Sequence, residues 1–389
     1  MVLYRVFAMG ESQLFLQKVS RWILVLCAAV GFAVPCFGQG TPSPLKAEFI
    51  YPIGSTSFPS SHASTIVELK HGNFIAAWFG GTSEGNSDVA IWGSRLVADK
   101  WSAPVELVRE PEIACWNPVL FHTNDGKLWL YYKFGSNPGT WAAGRRYSTD
   151  EGMTWSLVEH LPAGLLGPIR AKPLVLSDGT IVSGSSIEAY HTWAAWIERS
   201  SDGGKTWAKI GPITLPADTP VLPPAKMVAD TAFVTAGATD VGVKPIGSTF
   251  GIIQPSVVSL GGRHLRLYAR STTNVARVSV ADSYDNGLTW TQAHTLEISN
   301  PNSGIDAVAL RDSRIVLIYN NSTTLRTPLN LAVSEDGEHF CMFATLEDQP
   351  GQYSYPAMIQ GEGGDLRITY TYQRKTIKYV RFPLANIPK

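Results

Sequence analysis

Six polar side chains that could transfer protons or bind a ligand occur at corresponding points of this sequence. Each stands at the start of an apolar, alternating segment, and four of the six are followed directly by proline. Imidazole, carboxyl and phenol groups exchange protons, whereas amine and amide groups bind polar or anionic ligands. We predict that the six converge on one site, although each could instead only satisfy nearby backbone groups. They are His62, Asn117, Lys172, Gln254, Asp306 and Tyr355.

The elements that must position these residues are marked by a repeated phrase, Ser-x-Asp-x-Gly-x-Thr-Trp. It is complete at Ser148–Trp155, Ser200–Trp207 and Ser283–Trp290, and a degenerate copy begins at Ser334. Asp can bond its own downstream backbone, Gly tolerates a positive φ, and Trp fills the space beside the next strand. The phrase therefore predicts a tight hairpin that recurs along the chain.

A second pattern, a Gly- or Ser-containing turn followed by an alternating apolar strand, recurs at positions 72, 126, 179, 262, 313 and 364. The one long step locates an insertion of about thirty residues near Pro212 to Gly251. Six units of roughly fifty residues made of short strands predict an all-β chain, a six-bladed β-propeller of four-stranded antiparallel blades. In such a ring the innermost strands begin near a central channel, which would bring the six polar residues together.

The amino terminus has the pattern of a secretion signal. Basic residues precede the apolar run Trp22–Phe32, and small residues precede a cleavage point between Gly38 and Gln39. We predict a signal peptide over residues 1–38, a single domain over 39–389, and a secreted or periplasmic protein. A membrane anchor is the alternative, but the run is short and ends at Pro35. No other stretch is apolar for long enough to span a bilayer.

Composition argues against several classes of function. The chain has 32 basic and 32 acidic side chains, so the basic excess expected of a protein that binds nucleic acid or an anionic membrane is missing. No cluster has the spacing of metal ligands and no Gly-rich loop leads from a strand into a helix, so we predict no metal and no cofactor. We expect a monomer. Cys115 and Cys341 could form a disulfide or remain buried thiols.

The Ser-x-Asp-x-Gly-x-Thr-Trp hairpins resemble the Asp boxes of the sialidase (neuraminidase) superfamily of six-bladed propellers, and the resemblance extends over almost all of Tyr51 to Val380. It implies an enzyme that acts on glycans. Members that cleave sialic acid use three arginines to bind the substrate carboxylate, an Asp as acid/base, and a Tyr nucleophile with a Glu partner.

The resemblance implies a role for several residues. Arg270, sixteen residues after Gln254, corresponds to the second arginine, and Arg326 to the third. Tyr355 corresponds to the nucleophile, with Tyr353 as the alternative. Asp88 lies near the position of the acid/base, with Glu84 in the same loop, although Asp88 could instead be only a turn residue.

Two positions depart from the superfamily pattern. His62 stands where the first arginine is expected, and Gln254 stands where the Glu partner is expected. A Tyr hydroxyl ordinarily has a pKa of about 10 and needs a base to act as a nucleophile, which Gln cannot be. Lys172 or Arg170 could supply the missing positive charge. The candidates for the missing base are His62, Asp306 and Glu188.

Three functions follow from these residues. The first is an extracytoplasmic glycoside hydrolase that resembles exo-sialidases and removes a terminal acidic sugar from an acidic glycan. The second is a lyase on a uronic-acid glycan, in which arginines neutralise the carboxylate while His62 or Tyr355 removes the adjacent proton. The third is a non-catalytic propeller that binds glycans. We expect Asp88, Tyr355, Gln254 and His62 to be catalytic, and Arg270, Arg326, Lys172, Asn117, Asp306 and Glu84 to bind substrate.

Overall fold

Short alternating apolar segments separated by turns form antiparallel strands throughout the computed structural model, which describes residues 42–189, 192–221 and 250–389. Within these ranges the strands form five hydrogen-bonded sheets. Four of them are single blades, and the eight-stranded one is two blades joined by a short parallel pairing of residues 192–193 with 250–251, so there are six blades, here called I to VI. The predicted signal peptide and most of the predicted insertion lie outside the described residues. Three short 3₁₀ turns complete the regular structure, at Lys70–Gly72, Pro138–Thr140 and Leu384–Asn386.

The first three blades follow one another along the chain. Blade I has five strands, because both β5 and β6 pair with β4, and blades II and III have four. In blade I the strands are β2 (Ser60–Glu68), β3 (Phe74–Gly81), β4 (Ala90–Val97), β5 (Lys100–Trp101) and β6 (Val105–Val108). In blade II they are β7 (Cys115–His122), β8 (Leu128–Phe134), β9 (Ala142–Ser148) and β10 (Glu159–His160). In blade III they are β11 (Leu174–Val175), β12 (Ile181–Ala189), β13 (Thr192–Ser200) and β14 (Ala208–Ile213).

Blades IV and V repeat this order, and blade VI takes its outer strand from the amino-terminal end of the described residues. In blade IV the strands are β15 (Phe250–Gly261), β16 (His264–Ser271), β17 (Arg277–Ser283) and β18 (His294–Ser299). In blade V they are β19 (Asp306–Ala309), β20 (Ile315–Asn320), β21 (Leu329–Ser334) and β22 (Cys341–Glu347). In blade VI they are β23 (Tyr353–Gln360), β24 (Leu366–Tyr372), β25 (Thr376–Phe382) and β1 (Lys46–Phe49).

The six blades close into a ring. A separate buried apolar cluster fills each junction between neighbouring blades, including the junction between VI and I, where Trp78 packs with Tyr379 and Ile377. β1 pairs antiparallel with β25, so a strand from before blade I completes blade VI and holds the ring closed. The prediction of a six-bladed β-propeller is confirmed. Within the described ranges, no helix is long and apolar enough to cross a membrane.

The repeated Asp hairpins connect the third and fourth strands of their blades, as the turn chemistry predicts. In the first copy the Asp150 carboxylate accepts from the Thr154 backbone N–H at 2.8 Å and from the Thr154 hydroxyl at 2.6 Å. The Ser148 hydroxyl donates to the same carboxylate and accepts from the Gly152 N–H at 2.7 Å. Because third-to-fourth turns open at the opposite end of the ring from second-to-third turns, these hairpins are remote from the site described below.

These hairpins should make the fold sensitive to acid. The Thr154 hydroxyl bond lowers the pKa of Asp150 from 3.8 to about 2, and the Thr289 hydroxyl bond does the same for Asp285. A carboxyl whose pKa is depressed by folding stabilises the fold above its ordinary pKa, and this contribution is lost as the pH falls through the folded value. We therefore expect the melting temperature to fall between about pH 4 and about pH 2.

Thermal melting from pH 5 to pH 2 tests this expectation. Asp285→Asn should flatten the fall in melting temperature over this pH range. Asp348→Asn is the matched control, because the Asp348 carboxylate bonds only the neighbouring Gln349 amide. Identical pH profiles for the two variants would contradict the assignment.

The two cysteines of the domain lie on different blades, Cys115 on β7 and Cys341 on β22, and no disulfide joins them. Burial raises the pKa of the Cys115 thiol to about 12. Of the two possibilities that the sequence left open, the structure therefore supports thiols, with Cys115 in the protonated form.

Candidate functional site

Two kinds of segment meet at one end of the ring, the starts of the innermost strands and the turns that join second to third strands. The strand starts share a bulge at which one residue has a positive φ, namely Asn117 (37°), Gln254 (55°) and Tyr355 (52°). Proline follows each of them and cannot donate to a strand ladder, which a bulge accommodates. The three residues that the sequence placed at corresponding positions therefore occupy equivalent positions in these three blades.

Blade I differs by one residue from the predicted register. The residue with positive φ there is Ala63 (56°), so His62 precedes the position equivalent to Tyr355. The proline that marks this position in four other blades is replaced by Ser64 in blade I, so the sequence lacked the marker. The His62 ring nevertheless packs on the Tyr355 ring, with centroids 4.2 Å apart.

Tyr355 lies at the centre of the site and is only 8% exposed. Arg270 Nη1 donates to its hydroxyl oxygen at 2.7 Å, and Gln254 Nε2 lies 3.5 Å from the same oxygen. The guanidinium carbons of Arg170, Arg270 and Arg326 lie 5.4, 5.7 and 5.7 Å from its ring centroid. Donors and positive charges therefore converge on one phenol.

The Gln254 amide is oriented by its neighbours. Its Oε1 accepts from Arg270 Nη1 at 3.1 Å, which places its NH₂ group toward Tyr355. The residue at the expected position of a basic partner therefore acts as a donor to the phenol oxygen. Arg270 is held in turn by Asn302, whose Oδ1 accepts from Nε at 3.0 Å and from Nη2 at 2.8 Å.

Arg326 and Arg374 lie on the second-to-third turns of blades V and VI. Arg326 Nη2 donates to the Asn302 carbonyl at 3.2 Å, whereas its Nη1 is buried without a hydrogen-bond partner. Arg374 donates through Nε to Gln352 at 2.8 Å and through Nη1 to the Glu84 carboxylate. Burial lowers the pKa of Arg326 to about 10, so it remains charged at neutral pH.

Arg374 was missed by the sequence analysis. It is the second residue after β24, and its carbonyl accepts from the Ser61 N–H at 2.8 Å, beside the position at which His62 replaces the expected arginine. The signal that could have found it is its position, because every second-to-third turn opens on the same end of a propeller.

His62 is buried and uncharged. Its Nδ1 bonds the Thr371 hydroxyl at 2.9 Å, and its Nε2 is buried without a partner. Burial, reinforced by the positive charges of Arg374, Arg326, Arg170 and Arg270, holds its pKa well below the usual value. The imidazole is therefore neutral and is not a cation.

Lys172 and Asp306 form a pair within the ring, with Lys172 Nζ 3.8 Å from Asp306 Oδ2. The Asp306 carboxylate also accepts from the Ser256 hydroxyl at 2.8 Å and from the Met358 N–H at 2.9 Å, which links blades IV, V and VI. Burial lowers the pKa of Lys172, while Asp306 opposes that effect. Both residues have a structural task here, and their predicted contact with substrate stays a prediction.

Asp88 and Glu84 share the turn between β3 and β4. Asp88 is exposed, and its Oδ2 accepts from the Thr82 backbone N–H at 2.8 Å and from the Thr82 hydroxyl at 2.7 Å. It thus closes the turn, and its role as an acid stays a prediction. Asn117 is buried in blade II, and its Nδ2 has no hydrogen-bond partner.

Glu188, near the end of β12, is the carboxylate beside Arg270 and Gln254. Burial raises its pKa, and Arg270 and Gln254 lower it. It lies close to the two residues that contact the Tyr355 hydroxyl, whereas Asp306 interacts with Lys172 and Arg170. Of the three candidate bases, His62 alone has a described contact with the Tyr355 ring.

The site carries excess positive charge. Five basic side chains interact electrostatically with one another, with three carboxylates and with the neutral His62, so the group favours an anionic ligand. The basic residues are Arg170, Lys172, Arg270, Arg326 and Arg374, and the carboxylates are Glu84, Glu188 and Asp306. Among the described residues, no group of three or more His, Cys, Asp or Glu side chains could hold a metal ion.

Known proteins share this architecture. Residues 72–368 match the BNR repeat-like domain. No curated protein sequence matches the chain. A Dyadobacter fermentans protein of unknown function is similar in structure, with a TM-score of 0.68, 14% identity, and coverage of 87% of this chain and 98% of that one.

Two sialidases are also similar. The Hadza microbial sialidase has a TM-score of 0.66 and 16% identity, with coverage of 88% of this chain and 69% of that one. The NanB sialidase of Streptococcus pneumoniae has a TM-score of 0.64 and 13% identity, with coverage of 98% and 73%. These similarities confirm the sialidase-like fold that the Asp hairpins indicated.

Proposed function

Since the chain belongs to the BNR repeat-like domain family, we propose that it is a glycoside hydrolase that removes a terminal acidic sugar from a glycan. The observation that carries this proposal is the phenol of Tyr355 at the hub of the ring, bonded by Arg270 and flanked by Arg170 and Arg326. Guanidinium groups bind carboxylates through paired hydrogen bonds. A sugar carboxylate bound there would place its ring over Tyr355.

The substrate carboxylate would contact Arg326 and Arg374 as well as Arg270. Arg326 offers an unpartnered Nη1, and Arg374 is held through Nε and Nη1, which leaves its Nη2 toward a ligand. Arg374 would take the place of the arginine missing at His62. Tyr355 would attack the anomeric carbon, and Asp88 would protonate the departing oxygen. A phenol suits this task because a carboxylate nucleophile would repel an anionic sugar.

A lyase is the second candidate, favoured by the neutral imidazole of His62 packed on Tyr355. Two groups that exchange protons then lie together, and the amide of Gln254 occupies the expected position of a carboxylate. In that reaction His62 would take the proton next to the carboxylate, and Tyr355 would give its proton to the departing oxygen. The product would be an unsaturated uronate.

A panel of purified acidic glycans tests both functions. Sialosides and uronate-capped oligosaccharides are incubated with the 39–389 domain, and products are followed by release of free sugar and by ultraviolet absorbance. We expect free acidic sugar without new absorbance. Absorbing product from uronate glycans alone would establish the lyase instead. If the protein binds glycans of the panel but cleaves none of them, it is a non-catalytic glycan-binding propeller.

A further inference from the structure

Arg170 is a buried cation without a carboxylate partner. It is 4% exposed, and none of the salt bridges among the described residues includes it. Its Nη1 donates to the Ile305 carbonyl at 3.0 Å, its Nη2 donates to the Pro356 carbonyl, and its Nε has no partner. Burial of a charge is destabilising unless it is compensated. A neutral side chain could fill the same space, so the charge itself needs an explanation.

The surroundings hold Arg170 against Tyr355. Its guanidinium carbon lies 5.4 Å from the ring centroid. Gly304 makes room for it, because a Cβ at that position would lie 2.8 Å from Arg170 Nε. Lys133 Nζ donates to the Pro168 carbonyl at 2.6 Å, which fixes the segment that carries the arginine.

We propose that Arg170 is a positioning residue that stabilises negative charge on Tyr355, so that the phenol acts as a nucleophile without a carboxylate partner. The inference rests on the proposed hydrolase function. It accounts for Gln254, since a phenol stabilised by Arg170 and Arg270 does not require a base at that position. Arg170 itself does not touch the substrate.

The reaction balances without a further base. Tyr355 first loses its proton to solvent, and its phenolate oxygen then bonds the anomeric carbon while the bond to the departing oxygen breaks. Asp88 gives that oxygen its proton. Water next attacks the anomeric carbon, Asp88 recovers a proton from the water, and Tyr355 leaves as a phenolate that regains its proton from solvent. Each turnover consumes one water and returns Tyr355 and Asp88 to their starting forms.

Several charged groups act on Tyr355 from the other blades. Arg270 and Arg326 face its ring, and the neutral His62 packs on it. Behind these lie the pairs Glu84–Arg374 and Lys172–Asp306 and the carboxylate of Glu188. None of these carboxylates has a described hydrogen bond to the phenol. Removal of Arg170 should therefore leave them in place and subtract one positive charge from the environment of the phenol.

The test compares Arg170→Met and Arg170→Lys with Arg146→Met. Arg146 is the matched control, because its guanidinium also donates only to backbone carbonyls, those of Leu107, Trp155 and Ser156, and lies 5.9 Å from the Trp155 ring. It is remote from the hub. For each variant we would measure kcat, KM, melting temperature and the pH dependence of kcat/KM.

We expect Arg170→Met to lower kcat by about 10²-fold with little change in KM, the size of effect seen when one stabilising donor is removed from a developing anion. The ascending limb of its pH profile should move to higher pH. Arg170→Lys, which keeps the charge, should recover part of both. Arg146→Met should lower only the melting temperature. A normal kcat and pH profile in Arg170→Met would overturn the proposal.

Ultraviolet titration of tyrosinate gives a second measurement that needs no turnover. The difference between the protein and its Tyr355→Phe variant isolates the signal of one phenol. We expect this signal to appear at higher pH in the Arg170→Met background than in the parent, with Arg170→Lys in between. Identical titrations in the three backgrounds would refute the role of Arg170. If no glycan of the panel is cleaved but the tyrosinate signal still shifts between backgrounds, only the hydrolase function is refuted.

Discussion

Replacement of Tyr355 by phenylalanine is expected to abolish turnover, with a loss in kcat on the order of 10³-fold or more, because removal of a nucleophile removes the covalent route. The fold should survive. The ring stays packed on His62, and Arg270 Nη1 keeps its bond to Gln254. The loss of one hydrogen bond donated by a guanidinium costs about 1.5–3 kcal/mol.

Tyr353→Phe is the matched control for this variant. Tyr353 is fully buried two residues earlier on the same strand, and its hydroxyl has no hydrogen-bond partner. Its ring packs on Tyr372 with centroids 5.2 Å apart, away from the arginines. Activity within about twofold of the parent is expected, since removal of this one buried hydroxyl leaves the site intact. If Tyr355→Phe were active and Tyr353→Phe inactive, Tyr353 and not Tyr355 would be the nucleophile.

Arg326→Met is expected to lower kcat/KM by about 10- to 10²-fold, mainly through KM, because one charge-assisted hydrogen bond, here from Nη1, contributes about 1.5–3 kcal/mol. The substitution leaves the bond from Arg270 to Tyr355 intact. Arg326→Lys should restore only part of the loss, since an ammonium group provides charge without the planar pair of donors. Steady-state kinetics on an acidic glycan and on its neutral analogue would measure the difference.

The surface arginine Arg277 offers the control for Arg326. It pairs with Glu297 at 2.9 Å on the outer part of blade IV, where both side chains are exposed. Arg277→Met should leave KM unchanged. An equal rise in KM for acidic and neutral substrates in Arg326→Met would show that Arg326 shapes the site without binding the carboxylate.

The contrast between Tyr355 and Arg326 separates chemistry from recognition. One substitution should act on kcat and the other on KM, because only the first removes an interaction made at the reacting carbon. If acidic glycans bind but are not cleaved, the Arg326 prediction still holds for the dissociation constant. The arginine cluster would then define a glycan-binding protein.

The fold could be predicted from the sequence because its signals are local. Each Asp hairpin contains its own donors and acceptors within eight residues, as in Ser148–Trp155, so one phrase dictates one turn wherever it occurs. Repetition of that turn with alternating strands leaves few architectures other than a ring. The degenerate copy at Ser334 still forms the turn, with His339 bonding Asp336 in place of the missing Thr.

The site was only partly predictable, because its residues are close together in space but far apart along the chain. Gln254 and Tyr355 could be found because each directly precedes one of the repeated prolines. Arg270 could be found because its spacing from Gln254 resembles that of the sialidase superfamily. Arg374 and Asn302 have no such marker. Arg374 reaches the site because ring closure brings blade VI beside blade I, and Asn302 reaches it because the connection between β18 and β19 contacts Arg270.

The sequence by itself determined a chain of six antiparallel blades and a set of polar residues at their inner ends, because turn chemistry and strand alternation are local properties. The tertiary structure alone decided which charges share one space. Arg170 became a buried neighbour of Tyr355, His62 became neutral, and Gln254 became a donor to the phenol. Burial and electrostatic interaction depend on the groups that surround a side chain in three dimensions, and ring closure brings those groups from distant parts of the chain.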